Sequence, residues 1–353
     1  MRIFITHIGP KATVMKYHIP AAAVYFSYNL IEGGVFDKVY SILPANISGK
    51  KEDFSDEKVE AIYSSLRGKR FLHKIAPLVE DIILYKKIPR NATVWFYNIN
   101  MLTALLIVLL DFFKPSVKRF TIMLDFTPGV KWNYFLLKLI NRSKGMICLS
   151  HSDLFTVKNT CVLPGVISEK KAFDEVQSPI SGNFLLSGNL NEQICMLHLL
   201  LPAFSKMPEV NLHITGFSGD EDYIKSFTDR FPNIQRYGML DYEEFLNLMH
   251  SCPFLLSTRD PNFPENACNF PSKIIEGLLH NRIIVSTIHY NQLNGIQYIE
   301  VPHTIHGFVE TIRAFISKSD CDLLKYANQS NEVYQRFNNK VWAEQISKIE
   351  RNA

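Results

Sequence analysis

Short, largely apolar, β-rich runs alternate along this chain with stretches of helical periodicity. In the first half the runs are RIFIT, DKVYSI, TVWFY, FTIML and GMICLS. In the second half they are NFLLS, LHITG, IQRYG, PFLLS, RIIVS and YIEV. Their apolar residues do not alternate with polar ones, so both faces of each strand need cover, as in a parallel sheet between helices. Regular exchange of strand and helix predicts βαβ units and doubly wound sheets.

The pattern lapses once, over SEKKAFDEVQSPISGN, which is polar, aperiodic and carries a proline and a glycine. It reads as a linker. Since 353 residues exceed one ordinary core, two α/β domains are expected, over 1–168 and 183–330, joined by 169–182. After Tyr298–Val301 the chain turns helical, over Gly307–Ser317, Asp322–Phe337 and Val341–Arg351. The tail 331–353 must pack on something, and the first domain is one place for it.

Composition narrows the class. At 47% hydrophobic and 20% charged the chain is globular. The longest apolar run, Met101–Leu110, is too short to span a bilayer. MRIFITHIGP has no leader pattern, so a cytoplasmic protein is expected. Six cysteines without paired spacing read as reduced, buried thiols. The net charge of +4 is modest, and no nucleic-acid partner is expected. Basic residues cluster at Gly49–Lys51, Arg67–Lys74 and Lys86–Lys87. Each cluster alone suits a solvated face. Together they would also suit a surface that docks on an anionic acceptor or on anionic lipid, with peripheral attachment to the inner face of a membrane.

Ligands of open parallel sheets bind beyond the carboxyl ends of the strands, beside helix N-termini. One such place is NFPSKIIEGLLHNRIIVST. At roughly 100° per residue Ile274, Ile275, Leu278 and Leu279 share one side of a helix, and Lys273 with Glu276 the other. Ser272 is placed to cap it, with Pro271 before. An ammonium, a free helix end and a carboxylate would together suit a nucleoside diphosphate with a ribose diol. An i,i+3 ion pair on an ordinary surface helix fits the same spacing.

Other strand ends add candidates. Gly188-Asn189 closes a strand before an amphipathic helix, where a small residue lets backbone approach a diphosphate, and a turn without ligand is the simpler alternative. Another strand ends at Gly216, and Asp220-Glu221-Asp222 beyond it reads as helix capping rather than a metal site. Tyr237-Gly238 closes a third, ahead of the Asp241-x-x-Glu244 helix start. Arg259 follows a fourth, in a loop rich in proline and asparagine, a composition more common in binding loops. In the first half, Asp125 ends a strand before a helix starting near Pro128, and His7 ends the first strand. A helix cap and a structural histidine are their ordinary roles. The stretch Lys131–Lys144 puts Trp132, Phe135, Leu136, Leu139 and Ile140 on one broad face, which suits a core better than a membrane surface.

The order strand–SGN–helix, strand–TG, strand–YGML–DYEEF, strand–STRDP, FPSKIIEGLL–strand resembles the donor half of GT-B glycosyltransferases. It is most similar to the family 4-like retaining enzymes of bacterial surface polysaccharide synthesis. The resemblance covers about Asn183–Thr287, with RFNNKVWAEQISKI in the tail, and is loose in the first half. It implies two Rossmann-like domains and transfer of a sugar from a UDP- or GDP-linked donor to a glycan- or lipid-linked acceptor, with no metal or cofactor. It also implies that Glu276 binds the ribose, that Ser272 and Lys273 lie near the diphosphate, and that Asp125, alone where related enzymes place a His-Asp or similar polar pair, orients the acceptor, with His7 a further candidate beside the acceptor. The chain departs from the pattern in three places. Cys268 stands where Glu-x7-Glu would have its first glutamate, and Asn189 and Cys195 replace the usual Arg and Lys. Asn281, Arg282 and Ile283 replace Gly-x-Pro. A sugar-nucleotide epimerase on the same fold, or an inactive GT-B-like partner subunit, are the competing expectations.

Overall fold

The computed structural model describes residues 1–11, 14–17, 21–47, 49–67, 69, 71–168 and 174–353. The first part of the expected linker, 169–173, and Gly68 and Arg70 of the basic clusters lie outside the described residues. The chain divides into two compact units, one made of 1–169, 268–270 and 337–353, the other of 170–267 and 271–336.

The first unit is a seven-stranded parallel sheet. Its strands are β1 (Arg2–Thr6), β2 (Lys38–Ser41), β3 (Glu60–Ala61), β4 (Thr93–Tyr97), β5 (Lys118–Met123), β6 (Gly145–Cys148) and β7 (Thr160–Val162). They lie in the order β3-β2-β1-β4-β5-β6-β7. The runs read from the sequence are all there, and two short edge strands, β3 and β7, join them. Helix α1 (Ala21–Glu32) follows β1, and α2 (Ala76–Lys87), α3 (Ala104–Phe113) and α4 (Asn133–Asn141) lead into β4, β5 and β6. Helices α2 to α4 close one apolar core against alternate strand residues, among them Ile3, Val94, Phe96 and Met146. Helix α4 begins later than Pro128 predicts, because the segment from Phe126 to Trp132 forms turns instead. Only Leu136, Leu139 and Ile140 of its broad face are buried, whereas Trp132 and Phe135 are exposed.

The C-terminal helix Asn339–Arg351 belongs to this unit and contacts α1 and β6. Trp342, Ile346 and Ile349 are its buried stripe. The Trp342 indole donates to Gly165 O at 2.7 Å and packs edge-on to Phe26. Glu350 accepts from the Trp95 indole and from Arg2 Nε, both at 2.8 Å. The expected helix Asp322–Phe337 is broken. It runs as Asp320–Leu323, a short turn of 3-10 helix, and Ser330–Phe337, with Asn328 in the left-handed region between them.

Arg67, read as part of a basic surface cluster, is fully buried. It donates to both oxygens of Glu80 at 2.7 and 2.6 Å and to the carbonyls of Leu43, Pro44 and Ile47. Five charge-assisted bonds offset the cost of taking the pair out of water. Next to it, Asp81 Oδ2 accepts from Leu106 N at the start of α3, while Oδ1 is buried without a partner.

The second unit is a six-stranded parallel sheet of β8 (Asn183–Asn189), β9 (Asn211–Phe217), β10 (Ile234–Gly238), β11 (Phe254–Ser257), β12 (Ile283–Ser286) and β13 (Ile299–Glu300). Their order is β10-β9-β8-β11-β12-β13. The helix expected after Gly188-Asn189 is two helices, α5 (Glu192–Cys195) and α6 (Leu197–Phe204), because Met196 sits at φ 49° between them. Helices α7 (Glu221–Thr228) and α8 (Tyr242–Ser251) follow β9 and β10. The Asp241–Glu244 capping box forms as expected. Helix α9 (Ser272–Leu279) leads into β12, and α10 (Ile305–Ile316) covers the sheet with α6. All six cysteines are free thiols, four of them buried, and Cys321 is exposed. Among the described residues no helix is long and apolar enough to cross a membrane.

Burial pushes the Asp81 carboxyl up to about 8, with neighbouring Glu80 acting the same way against the Leu106 N–H. A carboxyl whose folded value exceeds its ordinary 3.8 stabilises the fold most below about pH 4 and progressively less up to about pH 8. Asp81→Asn keeps the acceptor for Leu106 and removes the charge. The urea midpoint should then vary less between these pH limits than in the wild type, and should rise at the alkaline end.

Candidate functional site

Three neighbouring strands of the second unit carry a glycine at their carboxyl ends, Gly238 as the last residue of β10 and Gly188 and Gly216 one residue before the ends of β8 and β9. Gly188 (φ 103°) pairs with Gly216 (φ 121°), and Gly238 (φ 70°) pairs with Thr215. A Cβ on Gly216 would lie 1.9 Å from Gly188 O, so no other residue fits there. On Gly188 and Gly238 a Cβ would meet nothing within 4 Å, so both face open space. Arg236 braces this edge, donating to Gly216 O at 2.6 Å and Gly238 O at 3.2 Å while paired with Glu221. Sequence reading missed Arg236, since an arginine two residues before a strand end has no distinctive signal.

Beside the glycines, Arg259 and α9 bring in charge. Arg259 N donates to Thr287 Oγ1, which in turn donates to Arg259 O, fixing the loop to the end of β12. Its guanidinium donates to Asn266 Oδ1 at 3.1 Å, and its Nε is buried without a partner. Asn266 is held by Gln193 O and Asp260 O, so the loop folds back on the start of α5. Helix α9 reaches the sheet because Gly277 lies where a Cβ would stand 2.8 Å from Ile284 and 3.2 Å from Leu255.

At the start of α9, Pro271 is the buried N-cap residue. Ser272 is exposed as the first helical residue and caps nothing, which corrects the expected role. Lys273 is half-buried. Its ammonium donates to Ser187 O at 3.2 Å, and burial lowers its pKa, with nearby Arg259 adding to the effect. Burial alone raises the Glu276 carboxyl. Among the described residues Glu276 has no hydrogen-bond or ion-pair partner, so the expected alternative of a Lys273–Glu276 surface pair is not formed. The site thus combines two cations lacking a carboxylate partner, an unused carboxylate one turn along the helix, and open backbone at the strand ends.

The remaining candidates are placed differently. Asn189 is exposed beyond Gly188. Tyr237 donates to Gln235 Oε1 at 2.7 Å and lies 2.9 Å from His213 Nδ1, on the face of β10 and not among the strand-end glycines. In the first unit, His7 Nδ1 donates to Ile42 O at 3.0 Å, burial lowers its pKa against the opposing backbone hydrogen bonds, and Nε2 is buried without a partner. Asn98, at φ 45° beyond β4, accepts from the backbone N–H of Leu124 and Asp125. The ends of β1, β4 and β5 are adjacent, so His7, Tyr97, Asn98 and Asp125 share one sheet edge. Burial and the Asp125 charge both push the Tyr97 phenol upward. Asn98 and Tyr97 were missed. The polar NIN after an apolar strand was their only signal. Among the described residues no group of three or more His, Cys, Asp or Glu is placed to hold a metal.

No family model and no curated protein matches the sequence. Solved structures do match in shape. Anabaena Alr3699/HepE in complex with UDP and glucose aligns over all of both chains, with TM-score 0.62 and 16% identity. The N-terminal domain of Candida albicans trehalose-6-phosphate phosphatase aligns over 100% of this chain and 97% of its own, with TM-score 0.71 and 11% identity. The Escherichia coli trehalose-6-phosphate protein bound with UDP-2-fluoro glucose aligns over 99% of each, with TM-score 0.66 and 8% identity. The chain has the GT-B fold. Within that fold the strand-end glycines, Arg259 and α9 belong to the second Rossmann-like unit, while His7 and Asp125 belong to the first.

Gly216→Ala should lower the melting temperature by several degrees, since a positive φ and a clash with backbone each cost about 1–3 kcal/mol. Gly188→Ala carries only the positive φ and should cost less. Equal effects in a thermal melt would contradict the close approach at Gly216.

Proposed function

We propose that this protein is a glycosyltransferase that moves a sugar, of hexose type, from a nucleotide-sugar to a glycan- or lipid-linked acceptor in polysaccharide synthesis. The observation that carries the reading is the charge arrangement at α9. Lys273 and Arg259 crowd positive charge with no carboxylate to answer it, one turn from the unpartnered Glu276. Proteins seldom hold buried charges unpaired without a use for them. A nucleoside diphosphate supplies both missing partners, its phosphates for the cations and its ribose diol for the carboxylate. The glycines at 188, 216 and 238 leave room for backbone to approach it, and Asn189, Pro271 and Ser272 border the same edge. Tyr237 is the candidate most removed from this arrangement. UDP in the HepE complex supports the reading.

In this mechanism the diphosphate leaves as the bond to the sugar breaks. Lys273 and Arg259 stabilise the charge that develops on it, which makes the reaction metal-independent. Glu276 holds the nucleoside in register. If the transfer retains configuration, the acceptor hydroxyl attacks from the face the leaving group vacates and gives its proton to the departing phosphate. Asp125 and His7, on the sheet edge of the other unit, are assigned to the acceptor. His7 leaves Nε2 without a partner among the described residues, which is the ring nitrogen assigned to an acceptor hydroxyl.

Melting temperature against UDP, GDP and their 2′-deoxy forms tests the site, because a ligand of the folded state stabilises it by mass action. One ribonucleotide should raise it, the deoxy form should do so less, and Glu276→Ala should erase that difference, about tenfold in affinity. Indifference to every nucleotide would defeat the reading. Stabilisation with no hydrolysis or transfer of any sugar donor would instead favour the partner-subunit role, and release of a rearranged sugar the epimerase.

Affinity also depends on pH through Lys273. Because its pKa is lowered, the ammonium loses its proton at a lower pH than an ordinary lysine, and nucleotide binding should weaken there. Lys273→Met should bind on the order of tenfold or more weakly and show no such alkaline fall. Calorimetric titration across the alkaline range distinguishes the two proteins.

A further inference from the structure

The outer surface of the first unit carries an apolar band that its own fold leaves uncovered. Helix α3 lies between α2 and α4, in contact with both. Their inner faces share one core. Outward, Ile75, Leu78 and Ile82 form an exposed stripe at helical spacing on and just before α2, and Phe71 ahead of it is 82% exposed. Helix α3 is apolar on every side, ALLIVLLDFF but for Asp111, and presents Phe112 at 72% exposure. Next to α4, Trp132 is 68% exposed, with Tyr134 and Phe135 beside it. Large aromatic and aliphatic groups repeated over three adjacent helices exceed the scattered apolar residues of an ordinary surface.

Basic residues dominate the charge around the band, with Glu60, paired to Lys87 of α2, and the exposed Asp153, beside Leu154 near α4, as the acids at its margin. Lys74, Lys86, Lys131, Lys138 and Lys144 are exposed, and none pairs with a described carboxylate. Between residues 66 and 145 the acidic residues are Glu80, Asp81, Asp111 and Asp125. Glu80 and Asp81 are buried, Asp111 is paired with Arg119, and Asp125 belongs to the strand ends. Apolar side chains inside a lysine rim match the two layers of an anionic bilayer surface, acyl chains beneath phosphate headgroups. A second copy of the same face would bring like charges together.

The geometry points to docking of this three-helix face on an anionic phospholipid bilayer, with Phe71, Phe112 and Trp132 entering the headgroup boundary and the lysines meeting phosphate. This is independent of the nucleotide site, and the test omits nucleotide, so either reading can fail alone. Of the three tryptophans, Trp95 and Trp342 are fully buried, so a change in emission on binding reports Trp132.

The full chain is mixed with vesicles of phosphatidylcholine, with or without about a third phosphatidylglycerol. Binding to the anionic vesicles alone is expected, with a blue-shifted emission and a decline as salt rises. The triple variant Lys74→Glu, Lys86→Glu, Lys131→Glu should bind at least on the order of a hundredfold more weakly, at about 1 kcal/mol per lysine. Phe112→Ser, at an exposed position, should also weaken binding while the melting temperature holds. No binding to either vesicle, or equal binding to both, overturns the proposal. So does a wild-type dimer that Phe112→Ser converts to monomer without any vesicle binding, which would assign the face to a second copy.

Discussion

In-register pairing of parallel strands decides where this protein can do chemistry. Every strand of both sheets runs the same way, so all carboxyl ends emerge along one edge of each sheet. Helices occupy the faces, and the strand interiors are apolar in consequence. A polar side chain meant for a ligand can only stand at an edge or on the first turn of a following helix. Gly188, Gly216, Gly238, Arg259 and Lys273 occupy such places in one unit, and His7, Asn98 and Asp125 do so in the other. The edge is also where backbone crowds most, which is why the end of β9 tolerates only glycine.

The arginines show how the fold separates structural charge from available charge. Arg67 answers Glu80, Arg236 answers Glu221, and Arg119 answers Asp111. Arg282 lacks a carboxylate yet spends its guanidinium on the carbonyls of His280, His250 and Asp174. Arg259 differs. It is braced by one neutral amide, has a bare Nε, and stands near a lysine that rests on a single carbonyl. Its surroundings orient it without neutralising it, which is the state that a preorganised anion site requires.

Much of the architecture was legible because parallel strands advertise themselves. Buried on both faces, β1, β4, β8 and β12 can only be continuous apolar runs. The edge strands β3 and β7 were not, since two or three residues with one exposed side carry too little pattern. Helix boundaries misled where a local backbone state intervened, as at Met196, at Asn328 and in the turns after Phe126. The spacing of Lys273 and Glu276 was visible, but not their burial. That depends on Gly277 drawing α9 onto β11 and β12, a contact between residues far apart in the chain. Arg236, Asn98 and Tyr97 were missed for a related reason, since each acts on a strand that is its neighbour in space only.

The helix Asn339–Arg351 gives the chain an unusual order of assembly. The hydrogen bond between Arg2 and Glu350 joins residues 348 positions apart, and Trp342 packs on Phe26 while donating to Gly165 O. During synthesis from the amino end, the side of the first unit facing α1 and β6 therefore stays open until Asn339–Arg351 is made. The second unit, built almost entirely from the stretch between, has its own core to close in the meantime. Contacts of such long separation form slowly, because the entropy of loop closure must be met first. The first unit thus closes only after the stretch that builds the second has been made, with its open face exposed to other chains until then.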